Sequence, residues 1–165
     1  MPPISEGRFP KGRISTLWDA IVTQLQSDPV LRSQVDNWNL WSGDIADLEP
    51  NPQTAYPAIK ARPKASPFKW TDEGRLDGLF LVEIEYAVEG TYVGDLLDMW
   101  EAIATAMSCY AISAANPPMT WGNYLIGLGV YAPTLSGPGF EPQALDGTLA
   151  IATRATLSYS FNLPA

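Results

Sequence analysis

Histidine is missing from this 165-residue chain, and cysteine occurs once, at Cys109. The first absence removes the commonest general base, the commonest metal ligand and every Ser-His or Cys-His dyad. The second excludes a disulfide within the chain. Cys109, between Ser108 and Tyr110 in an apolar stretch, reads as a small buried hydrophobe. Charge is scarce too: 17% of residues carry it, below the usual quarter. A chain so poor in Lys and Glu covers itself with Ser, Thr, Asn, Gly and apolar groups, which implies that part of its surface meets other protein. Basic residues are the scarcer sign, ten against eighteen acidic for a net charge of −8. Only Lys60, Arg62, Lys64 and Lys69 form a loose group, so binding nucleic acid by phosphate neutralisation is not expected. An acidic surface can instead line a channel through which nucleic acid slides without sticking. No apolar run approaches the length of a membrane span. The start, Met1 to Gly7, lacks the charged-then-apolar layout of a signal peptide, so a soluble protein made in the cytosol is expected.

What is present is patterning. Val82, Ile84, Tyr86 and Val88 alternate with Glu83, Glu85 and Ala87, the period of a strand with one face buried and one wet. Glu89-Gly90 breaks that strand. A long amphipathic helix follows, with Leu96, Leu97, Trp100, Ile103, Ala104, Met107 and Tyr110–Ala111 on one stripe. Residues 1–12 read as an extended arm, and Ser15 as the N-cap of a helix carrying Leu17, Trp18, Ile21, Val22 and Leu25. Asp28-Pro29 caps and restarts a second helix ending near Trp38. Tyr56 to Arg62 reads as a strand that Pro57 places at an edge or a strand start. Alternation from Asn123 to Val130 predicts another strand. The longest alternation runs from Leu149 to Phe161, with the odd-numbered residues on one face. A strand of that length is expected to project beyond its own sheet, as a hairpin arm or as a strand added to a neighbour. Long loops separate these elements, at 37–54, 63–78 and 133–146. The expected fold is one α+β domain over residues 1–165. Its antiparallel or mixed sheet has about four strands, with the N-terminal helices and the long helix packed on one face.

No residue set points to chemistry. Asp44, Asp47 and Glu49 lack the spacing and the glycine of a calcium loop, so no metal site is expected. Glu83 and Glu85, about 7 Å apart on one strand face, have the separation of a glycosidase acid–base pair but not its usual origin in two elements of a cleft. Gly127-Leu128-Gly129 has no third glycine or helix after it, and Ser136 to Gly139 has no Lys-Ser/Thr, so neither holds a nucleotide. No cofactor and no enzymatic activity are expected. The aromatics carry more information. Trp18 and Trp100 lie on helical stripes and read as core. Trp38, Trp41, Phe68, Trp70 and Trp121 sit in or beside loops, where such side chains anchor protein interfaces or stack on sugars. With Tyr159 and Phe161 of the closing strand they are the interface candidates. One reading of the loop tryptophans is therefore a carbohydrate-binding module.

The order of elements carries a resemblance. A helix ending in Ser-Asp-Pro-Val-Leu (Ser27–Leu31) precedes a Tyr-Pro-Ala-Ile strand (Tyr56–Ile59) and a Val-Glu-Ile-Glu-Tyr strand (Val82–Tyr86). A short turn then enters the helix Tyr92–Ile103, and a long closing strand rich in Thr and Ser follows. This layout resembles the neck and tail proteins of tailed bacteriophages, in particular the tail terminator or tail completion proteins. The long Pro-containing loops at 51–69 and 116–146 depart from it. The resemblance implies a homo-oligomeric ring, commonly a hexamer, in the virion neck, joining the tail tube protein to the head–tail connector and passing DNA as cargo. In such a ring Asp44, Asp47, Glu49, Asp72 and Glu73 are candidates for charge facing the lumen. A head-completion or tube role in the same assembly is the neighbouring reading.

Overall fold

The computed structural model describes residues 9–40, 55–115, 117–137, 143–144 and 150–163. Its fold is α+β with a mixed sheet. In chain order the elements are α1 (Arg13–Ser27), α2 (Pro29–Gln34), β1 (Asn37–Leu40), β2 (Ala58–Pro63), β3 (Phe68–Trp70), β4 (Leu76–Glu89), α3 (Val93–Ala106), α4 (Trp121–Gly127), β5 (Val130–Leu135), β6 (Gln143–Ala144) and β7 (Ala150–Leu163). The sheet has seven strands rather than about four, in the order β1-β2-β4-β7-β5, with β3 added on β4 and β6 on β7. Only β1 and β2 run parallel; the other pairs are antiparallel.

Alternation specifies the two central strands. Phe80, Val82, Ile84, Tyr86 and Val88 of β4, with Ile151, Ala155, Leu157, Tyr159 and Phe161 of β7, enter one hydrophobic core. Residues of all four helices join the same core, among them Leu17, Trp18, Leu31, Ile103 and Trp121. On the opposite sheet face Arg62 meets Glu83 at 3.6 Å and Arg154 meets Glu85 at 3.1 Å. The two glutamates are therefore cross-strand ion-pair partners on an outer sheet face. A small cluster of Ala58, Ala87 and Ala152 beside Tyr56 lies on the same outer face.

The closing strand overturns one expectation. All 14 residues of β7 pair with β4, from Leu76–Leu163 to Glu89–Ala150. Its other side takes β5 at Val130, Tyr131, Thr134 and Leu135, and β6 near Ala152. Its length is used inside the sheet, because β4 is equally long. The strand expected over 123–130 is also corrected: Trp121–Gly127 is helical. Thr120 caps it, its hydroxyl accepting from the Asn123 N–H, and Trp121 and Leu125 bury one turn apart. Gly129, at φ +79°, then takes the left-handed conformation that ends a helix, which explains the glycine there.

Smaller corrections follow from hydrogen bonding. Gly12, not Ser15, is the N-cap of α1, and Ser15 donates its hydroxyl back to the Gly12 carbonyl. Asp28 caps α2 as expected, accepting from the Val30 and Leu31 N–H groups. That helix ends at Gln34, and Trp38 lies in a strand. A cis Tyr56–Pro57 bond precedes β2, whose position between β1 and β4 makes it internal. Helix α3 ends at Ala106, so Cys109 lies beyond it and is exposed rather than buried.

Candidate interaction surfaces

Among the interface candidates, the structure separates core from surface. Trp121 is 1% exposed and stacked on Tyr124 at a centroid distance of 5.5 Å. Tyr159 and Phe161 are 1% and 0% exposed, because their odd-numbered register puts them under the helices. These three are core side chains, which corrects the expectation that they meet a partner. Burial pushes the Tyr159 phenol well above the usual tyrosine range. Trp38 is half-buried in β1 and packs on the core. Phe68 is half-buried too, tilted against Phe161 at 6.4 Å. Trp41, Asp44, Asp47 and Glu49 lie outside the described residues. Trp100 is half-buried, its indole N–H donating to the Ser136 carbonyl at 3.0 Å.

Trp70 is the exception, at 68% exposed. It ends β3, which pairs antiparallel with the first three residues of β4, Phe68 opposite Gly78 and Trp70 opposite Leu76. Phe68 and Trp70 are two positions apart, so both point to the core-facing side of the sheet. Phe68 reaches Phe161, whereas Trp70 stands past the last covered position. The intervening turn is tied by Thr71, whose N–H donates to the Arg75 carbonyl at 2.7 Å, and bends at Gly74, φ +77°. Asp72 and Glu73 are exposed in that turn.

The opposite end of β4 carries a second surface that the sequence did not single out. Between α2 and α3 lies a groove of about 400 Å³. Val30, Leu31, Val35, Val88, Met99 and Ala102 supply apolar lining, while Glu89, Asp95 and Asp98 supply carboxylates. None of these three carboxylates has an ion-pair partner among the described residues. Asp95, Asp98 and Ala102 fall at i, i+3 and i+7, a helix face whose mixed character was available in the sequence but which only the placement of α2 turns into a groove.

No group of three or more potential metal ligands occurs among the described residues. No helix among them is long and apolar enough to cross a membrane. Neither a protein-family model nor a curated protein matches the chain.

Proposed function

We propose that this chain is a structural subunit that assembles into a homo-oligomeric ring, in the manner of the tail terminator proteins it resembles. In that role it sits at the neck of a tailed virion, ends the tail tube and lets DNA pass through its lumen. The observation that carries the reading is the β3–β4 hairpin, which presents a 68% exposed tryptophan on the side of the sheet that elsewhere forms the core. An indole left in water on a core-facing surface is an unfinished contact, and interfaces are where such side chains are covered. The net charge of −8 suits a conduit for a polyanion, and the exposed Asp72 and Glu73 are the described candidates for the lumen.

β7 offers little free edge for strand addition, because β4 takes one side along its whole length and β5 and β6 take parts of the other. The β3–β4 hairpin takes its place as a joint. Light scattering of the purified chain across a concentration series, with negative-stain electron microscopy, tests the proposal. Closed rings of one copy number support it, and a monomer at the highest concentration refutes it. Immunogold labelling of virions separates the neck from a head-completion or tube position. For the carbohydrate-binding alternative, only Trp70 among the described tryptophans remains highly exposed, and stacking platforms use several faces together. Titration of Trp fluorescence with polysaccharides tests it.

A further inference from the structure

Charges of the two signs are segregated in this chain. Between Arg75 and Arg154 the sequence holds no Lys or Arg, so α3 carries Asp95, Asp98 and Glu101 with no cation on its own element. All three are exposed, and none has an ion-pair partner among the described residues. Leu97 is exposed next to Asp98 and one turn before Glu101. The outer sheet face has the opposite character. Lys60 and Arg62 stand opposite Glu85 and Glu83, and Arg154 flanks Glu85 from the other side. Lys64 continues that ladder, its N–H donating to the Leu81 carbonyl at 2.8 Å, and alternation puts its side chain with those of Lys60 and Arg62. Four cations thus share this patch with two carboxylates, and the carboxylates are recessed. The side chains of Glu83 and Glu85 are 17% and 22% exposed, against 45% and 61% for Arg62 and Arg154. What approaches this face meets positive charge. Because α3 packs on the other side of the sheet, through Met99 and Ile103, no chain brings its own helix here.

We propose that the solvent face of α3 in one copy lies on the outer sheet face of the next, Asp98 and Glu101 over the Lys60–Arg62–Lys64 row and Leu97 toward Leu81. The inference rests on the ring reading above and supplies a joint for it. The spacings fit: alternate residues of a strand stand about 7 Å apart, and side chains at i and i+3 of a helix about 5–6 Å. Each copy's net charge of −8 repels the next, whereas this pairing puts attraction where the two surfaces touch and disfavours helix on helix. A contact between two different surfaces of identical chains is heterologous, and repeated from copy to copy it closes into a ring when the rotation permits. It also gives the sheet a helix layer on its second face.

Two double variants separate the halves of the contact. Asp98→Lys with Glu101→Lys reverses the helix face and leaves the sheet face intact. Lys60→Glu with Lys64→Glu does the converse, and none of the four residues has an ion pair to lose among the described residues. Each variant alone is expected to self-associate roughly tenfold more weakly or worse by light scattering, because like charges then face each other. Circular dichroism establishes that both remain folded. Mixed in equal amounts, they are expected to assemble again in alternation, since each reversed helix then meets a reversed sheet face and each parental helix a parental one. Either variant assembling like the parent, or a mixture of folded variants that stays dissociated, overturns the inference and leaves the ring reading standing. A parent chain that stays monomeric at every concentration overturns both. Binding of a single-stranded DNA oligonucleotide by the parent that is lost in the Lys60→Glu, Lys64→Glu variant assigns the cationic face to a polyanion and overturns the inference as well.

Discussion

Gly78 is where the structure makes its sharpest demand on a single residue. A Cβ there would stand 2.4 Å from the Phe68 ring and 2.5 Å from the Pro67 carbonyl oxygen. Real Cβ atoms do not approach that closely, and the oxygen is backbone that also accepts from the Leu79 N–H at 3.0 Å. Gly78→Ala must therefore lift β3 away from β4 or expel the Phe68 ring from its contact with Phe161. Two routes bound the cost. Forcing a methyl into a packed contact costs about 1–3 kcal/mol. Removing a half-buried phenylalanine from the core forfeits part of the roughly 1.5–3 kcal/mol that full burial contributes. Both converge on about 2 kcal/mol.

The assay is urea unfolding followed by far-ultraviolet circular dichroism, with the midpoint shift read at constant slope. A double-mutant cycle with Phe68→Ala identifies the cause. If the alanine at 78 acts by displacing the Phe68 ring, truncating that ring first relieves much of the clash, and the two losses add to less than their sum by about 1 kcal/mol or more. A shift below about 0.5 kcal/mol, or strict additivity, refutes the account of β3 as a strand laid on a bare backbone. The same variant perturbs the hairpin that presents Trp70, so self-association is expected to weaken beyond what the stability loss explains.

Three further outcomes check separate features. Gly127→Ala, in the last turn of α4 with no heavy atom within 4 Å of the added methyl, is expected to raise stability by about 0.4–1 kcal/mol in the same urea assay, opposite in sign to Gly78→Ala. Asp28→Ala removes the acceptor of the Val30 and Leu31 N–H groups and should lower stability by about 1 kcal/mol, while Asp28→Asn recovers most of it; equal losses in both would place the effect outside the cap. Tyr159 predicts alkaline sensitivity. Its phenol keeps its proton when folded, whereas the unfolded chain releases it above pH ~10, so stability falls as pH rises beyond that value, by up to about 1.4 kcal/mol per pH unit. Tyr159→Phe should flatten that part of the profile, and parallel profiles between pH 9 and 11.5 would contradict the burial argument.

Local periodicity was legible, and lateral position was not. Alternation in Val82–Val88 and Ile151–Phe161 identified both central strands and their buried faces, because one-sided burial forces a period of two. The same alternation says nothing of which neighbours flank a strand, so the length of β7 alone does not distinguish an overhang from pairing with the equally long β4 beside it. Residues 123–130 contain both periods: Tyr124, Ile126, Leu128 and Val130 alternate, while Trp121–Leu125 and Tyr124–Leu128 repeat at four. The second won because Thr120 caps the first turn and Gly129 ends the last, two signals that were present in the sequence. Read as a strand segment, the same stretch leaves Trp121 in a loop. Once its segment is a helix, its face is a core face. The parallel pairing of β1 with β2 joins Asn37–Leu40 to Ala58–Ala61, positions far apart in sequence, and no short-range pattern encodes it.

A mismatch of lengths accounts for the exposure of Trp70. Fourteen residues make β4 about 45 Å long, whereas the same number make α3 about 21 Å long. A helix layer of that reach cannot cover the core-facing side of a central strand pair from end to end. At the Leu76 end β3 supplies partial cover through Phe68 and runs out at Trp70. At the Glu89 end the short α2, six residues long, leaves a gap against α3 that becomes the acidic-lined groove. The two ends therefore differ: the sheet runs past its cover at Trp70, whereas Val88 and Ile151 at the other end stay buried and the groove opens between helices. Two copies brought together at either end would each carry a net charge of −8, so such a contact needs its apolar area to outweigh like-charge repulsion.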